Sequence, residues 1–428
     1  MLSVSLLPSA RLKAFTDCVG PRLWSGSLLA LLMQSCLGLG SSSGSKTTDT
    51  SNFNRTKTSN GTSIGINNTS QAVFKGKMYF TIDRNLYYLD GSRQLHQLTH
   101  GMDVRDPAVS PNGQWIAFII RHAEATTGDY SDLALMPASG GTIKILLSGQ
   151  GKYIPNPPYP APLSTDYWYA EPSWAADSTH LLFLSDLQKA DWSAQQLGVN
   201  SFLLDLQVFS ISINDPTTTQ IVAYAAYGAG GDQEPSYRPN HPNEIVYTHY
   251  QYAPNQIDLY TQLYMEDPNA IINDPGKGYH PGVFPFDPSV AITPATTAVA
   301  NFDPAFSPDG NYLAYVQTVS TTEMTLNIMP VPNNITQNPN DPTVQQQALL
   351  PYQQSVTIFS GQFVSQPVWS PDGKQIAFIN YSNGALDLWL ANVTLNAKTG
   401  KYQLQGSPVQ LTDTGDHLNA DSRPFWTN

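Results

Sequence analysis

The side chains able to do chemistry are few in this 428-residue chain, and most are scattered. Eight histidines (His96, His100, His122, His180, His241, His249, His280 and His417) occur at spacings that make no short metal-ligand pair on a helix, so they read as surface or loop residues. Two G-x-S-x-G matches, Gly40 to Gly44 and Gly61 to Gly65, fall in Ser/Thr/Asn-rich sequence. Neither has the strand before and helix after that make a nucleophile elbow. Asn338-Pro339-Asn340-Asp341 lacks the glycine and closing glutamate of a calcium loop and reads as a connection between strands. No catalytic residue and no metal ligand is therefore assigned, and binding is the expected activity.

One spacing is regular. A unit recurs as DPAVSPNGQWIAF from Asp106, EPSWAADSTHLLF from Glu171, DPAFSPDGNYLAY from Asp303 and QPVWSPDGKQIAF from Gln366, with a weaker copy, EPSYRPNHPNEIVY, from Glu234. Each reads as a short strand, a Ser-Pro-Asp-Gly turn and a second, alternating strand. Proline presets φ in such a turn, Asp or Asn bonds back to the backbone, and Gly takes the positive-φ position. Third strands follow, as at Leu326 to Met329 and Asp387 to Leu390, and fourth strands such as Val409 to Thr412. Four antiparallel strands make one propeller blade. Pro107, Pro172, Pro235, Pro304, Pro367 and Pro424 mark six units, the last reduced to its first strand; Met78 to Ile82, Leu86 to Leu89 and His96 to Thr99 supply the rest. The expected fold is all-β: a six-bladed β-propeller of four-stranded antiparallel blades over residues 73–428, the ring closed by a blade shared between the N- and C-terminal segments.

The same periodicity aligns Asp106, Glu171, Glu234, Asp303, Gln366 and Arg423, one before each repeat proline, around a central channel. Four are acidic. Either each caps its own turn or strand entry, or together they draw cations or basic groups to the channel mouth. No cofactor is predicted beyond a divalent cation that such a channel could take. Long insertions are expected on the face opposite the tight turns, and they carry Tyr153, Tyr159, Tyr167, Trp168, Tyr169 and Trp192 as candidate ligand-binding aromatics; packing of these rings on one another is the alternative.

The flanking sequence bears on location. Leu23 to Met33 is an apolar run after Arg11, Lys13 and Arg22, the charge order of an export signal over residues 1–36. Cys36 follows as a lipidation candidate, and residues 37–72 are too poor in large apolar groups to fold, so they read as a disordered tether. Both cysteines, Cys18 and Cys36, precede the repeats, which excludes a disulfide framework there. The net charge is −12, which argues against nucleic acid as a partner. The chain is expected outside the cytoplasm, touching the membrane only through its N-terminal anchor, with a protein or cell-envelope ligand as partner.

The P-x-W-S-P-D-G-x-x-I-A-F unit, the DLWL strand at Asp387 and the QLT strand end at Gln410 resemble repeats of the TolB family. The resemblance implies a propeller of six or more blades over about Phe74 to Asn428 and a role as a periplasmic interaction module. Related repeats stand beside hydrolase domains in prolyl-oligopeptidase-like peptidases, and in polysaccharide lyases that gather histidines from several blades around a metal. The alternative function is thus a propeller enzyme, a glycan lyase or hydrolase with a channel site. The small α/β domain that precedes the propeller in TolB is replaced here by the tether.

Overall fold

The computed structural model describes residues 52–124, 128–151, 153–154, 163–164, 166–187, 206–223, 230–255, 257–269, 288–339 and 341–428. Cys36 and the export signal lie outside them. Strands dominate, and the repeat produces its sheets in chain order. Sheet one joins Phe425–Thr427 to Lys77–Ile82, Asn85–Asp90 and Leu95–Gln97. Sheet two holds Asp103–Val109, Trp115–Glu124, Gly128–Pro137 and Lys144–Leu147. Sheet three holds Tyr169–Trp174, His180–Ser185, Gln207–Ser212 and Asp215–Ala223. Sheet four holds Gly230–Arg238, His241–Tyr252, Leu259–Glu266 and Val290–Ala291. Sheet five holds Ala300–Phe306, Tyr312–Ser320, Glu323–Pro330 and Val356–Gly361. Sheet six holds Val364–Trp369, Gln375–Ser382 and Ala385–Asn396, the last pairing with both Lys401–Leu404 and Val409–Gln410.

A seventh sheet, of three strands, was not anticipated. Phe53–Lys57 and Ser63–Asn67 form a hairpin whose second strand pairs with Thr412–Asp413. Counted as sheets of three or more strands among the described residues, the propeller has seven and not six, and the six-bladed reading is corrected accordingly. The tether reading fails over the same residues. A lone segment this polar could not build a core, but Ile64 and Ile66 reach one already made by other strands, and both are buried. A second departure lies between the third and fourth strands of sheet five, where Pro342–Ala348 is an α-helix. Asp341 caps it, accepting the Thr343 N–H at 2.8 Å, and Pro342 takes the first helical position, where no N–H is needed.

The apolar cores lie between successive sheets. Ala117, Ile119, Leu133 and Leu135 of sheet two pack with Trp174, Leu181, Phe183 and Phe209 of sheet three. Leu182, Leu184 and Val208 meet Ile245 and Tyr247 of sheet four, and Val246, Leu263 and Met265 meet Leu313 and Tyr315 of sheet five. Residues alternate between the two faces of each strand, so one strand feeds two cores.

Candidate functional site: the carboxyl ring and its funnel

Asp106, Glu171, Glu234, Asp303 and Gln366 share a backbone feature that the sequence did not announce. All five have φ between 51° and 56°, a region that non-glycine residues seldom occupy. At each one the register to the second strand shifts, between Arg105 and Ala108, Ala170 and Ser173, Gln233 and Ser236, Phe302 and Ala305, and Ser365 and Val368. The ring residue and its proline are thus a β-bulge, and a proline there withholds no N–H that the ladder needs.

The bulge turns each N–H toward the preceding sheet. The Asp106 carboxylate accepts the Glu171 N–H at 3.2 Å, Glu171 accepts that of Glu234, Glu234 that of Asp303 at 2.8 Å, and Asp303 that of Gln366 at 2.7 Å. The series stops there. Arg423 gives its N–H backward to the other Asp106 oxygen, at 2.9 Å, and the Gln366 side-chain oxygen takes no hydrogen bond. The acids therefore link neighbouring sheets; they do not cap their own turns.

Burial governs the charge of this ring. It pushes the Glu171 carboxyl up to about 8, with the neighbouring Glu234 and Asp106 charges adding to the rise and Arg423 opposing it. Glu234 is raised well above the ordinary carboxylate range by burial and by Asp303. Asp303 is raised to about 6 by burial, against the pull of the Gln366 N–H. Burial also raises Asp106, while Arg121 and Arg423 hold it down. Burial thus favours the protonated forms of Glu171 and Glu234, and the channel is less negative than four acids in sequence suggest.

On the face that carries the tight turns, the channel widens into a cavity of about 310 Å³. The repeat residues Pro107, Pro172, Pro304, Pro367 and Pro424 line it with Val368, and among the described residues Arg423 is the one cationic side chain in that lining. Deeper, Arg121 pairs with Asp421 at 2.6 Å and lies 5.5 Å from the Trp168 ring centroid.

Of the described candidate aromatics, two are core residues. Trp168 and Tyr169 are buried, Trp168 against Leu182, Leu184 and Val208, and Tyr169 in the core shared by sheets two and three. Tyr167 is half-buried. The backbone of Tyr153 pairs with Ser164, while the side chain of Tyr153, and all of Tyr159 and Trp192, lie outside the described residues. Among the described histidines, His96, His122, His180, His249 and His417 each bond an aspartate, at 2.6 to 3.0 Å. No three His, Cys, Asp or Glu side chains among the described residues are placed to hold a metal ion. No described helix is long and apolar enough to cross a membrane.

Sheets around a channel, with a bulged residue at the inner strand of five of them, define a β-propeller. Among solved structures, the chain is similar to TolB from Acinetobacter baumannii, at 15% identity and TM-score 0.47, over 82% of this chain and 66% of that one. It is similar to an oligogalacturonate lyase solved with manganese, at 13% identity and TM-score 0.42, over 82% and 83%. A TolB-like structure from Agrobacterium tumefaciens matches at 13% identity and TM-score 0.36, over 72% and 98%. No protein-family model matches the sequence, and no curated protein matches it.

Proposed function

We propose that this chain is an exported propeller that works by binding, holding a protein or cell-envelope ligand on one face while Cys36 attaches it to the membrane. The observation that carries the reading is the engagement of the channel acids. Asp106, Glu171, Glu234 and Asp303 each hold a backbone N–H of another sheet, so these carboxyls serve the ring's architecture and are not presented as an acid and base pair for a substrate. The funnel beside them offers apolar proline faces around Arg423, a surface suited to a ligand segment with an apolar group and a carboxylate. Cross-linking in intact envelopes, with wild-type protein and Arg423→Gln compared, tests this. The variant is expected to recover the bound partner at least tenfold less well at an unchanged Tm, and equal recovery would sink the proposal.

A further inference from the structure

Packing between sheets follows a rule with one exception. The residue before the repeat's second aromatic faces the next sheet, and its third-strand partner fills the space beside it. Ala117 pairs with Leu135, Val246 with Met265, Ala314 with Ile328 and Ala377 with Leu390, and all four partners are buried. In sheet three the partner of Leu182 is Ser210. At the next position outward, sheets four, five and six place Val290, Val356 and Val409, whereas sheet two places Lys144 and sheet three Gln220.

A cavity of about 610 Å³ lies between sheets three and four, within the size range of small-molecule sites. Ser210 is 9% exposed, and among the described residues neither its hydroxyl nor the Gln220 amide makes a hydrogen bond within the protein. The Ser210 hydroxyl is therefore free to bond a ligand or water in the cavity. The charges at the rim are already engaged. Arg238 bonds Glu244, Asn333 and the Gly310 and Pro332 carbonyls, and Asp177 bonds His180 and the Thr179 N–H. What stays open is neutral: Ser210, Gln220 and Asn240, beside the flat faces of Pro239 and Tyr237.

We propose that this cavity is a binding site for a neutral saccharide of disaccharide size. Hydroxyls and amides match a sugar's donors and acceptors, the proline and tyrosine faces match its C–H surface, and no unengaged charge favours an ion. Saturation-transfer NMR with cellobiose, maltose and lactose as probes tests this. Wild-type protein is expected to show transfer to at least one of them. Ser210→Leu puts a bulky apolar side chain in place of the lining hydroxyl, so it should abolish transfer. Gln220→Val, which removes only the amide, should weaken binding at least tenfold, and it decides the matter if Ser210→Leu does not fold. No transfer to any of the three from wild type, or wild-type binding by the variants, overturns the proposal.

Discussion

Glu171 shows how a single ring position carries several constraints at once. Its backbone is left-handed, its N–H binds Asp106 and its carboxyl binds the Glu234 N–H. Folding raises its pKa from 4.5 to about 8, so the native state keeps a proton that the unfolded chain releases between those values. Stability from this group is complete in acid and is lost as pH rises through that window. Glu171→Gln keeps an acceptor and removes the titration, so urea unfolding should find the variant more stable at pH 9 by roughly 1–3 kcal/mol, with the gap closed at pH 4. Parallel profiles for the two proteins would refute the assignment. Trp168 is the opposite case, an aromatic whose sequence context suggested a surface and whose ring is 7% exposed against apolar neighbours and Arg121. Trp168→Ala should cost roughly 3–5 kcal/mol, and an unchanged denaturation midpoint would contradict that packing. The periodicity of the repeat prolines located the ring residues, because spacing survives in sequence. Their positive φ and their reach to a neighbouring sheet did not, since both depend on how two sheets meet.

Between elements, the weak place is the junction of sheets six and one. The series of carboxyl links lacks a member there, between Gln366 and Arg423. Other contacts gather at the same junction. Asn67 donates to the Gln410 carbonyl at 2.7 Å, Arg93 donates to the Thr69 carbonyl at 2.8 Å, and Thr62 donates to Asp83 at 2.7 Å, so the hairpin of Phe53–Lys57 and Ser63–Asn67 holds both sheets. The Trp426 indole donates to the Lys75 carbonyl at 2.7 Å. Gly76, at φ 82°, lets the chain pass the Thr427 carbonyl where a Cβ would come within 2.0 Å. Deleting residues 424–428 removes the strand that pairs with Lys77–Ile82 and uncovers a sheet edge. Light scattering should then show aggregation at temperatures where the whole chain stays clear, and identical melting and scattering would argue that the strand contributes nothing. The repeat strands were legible because each carries its own turn signal. The hairpin was not, because its two buried isoleucines gain their worth only from a core that other strands build.

At the scale of the molecule, the repeat explains how so polar a chain folds without cross-links: each sheet needs only enough apolar residues to cover its two neighbours. It also confines a polar residue such as Ser210 to the interface of a single pair of sheets. Closure has a further consequence, in time. Lys75 and Trp426 are 351 positions apart in the chain. A ribosome adding about 5–20 residues per second leaves the Lys77–Ile82 strand without its last partner for roughly 20–70 s. Throughout that interval the growing chain has a bare strand edge, so its most aggregation-prone moment belongs to synthesis and not to the finished protein.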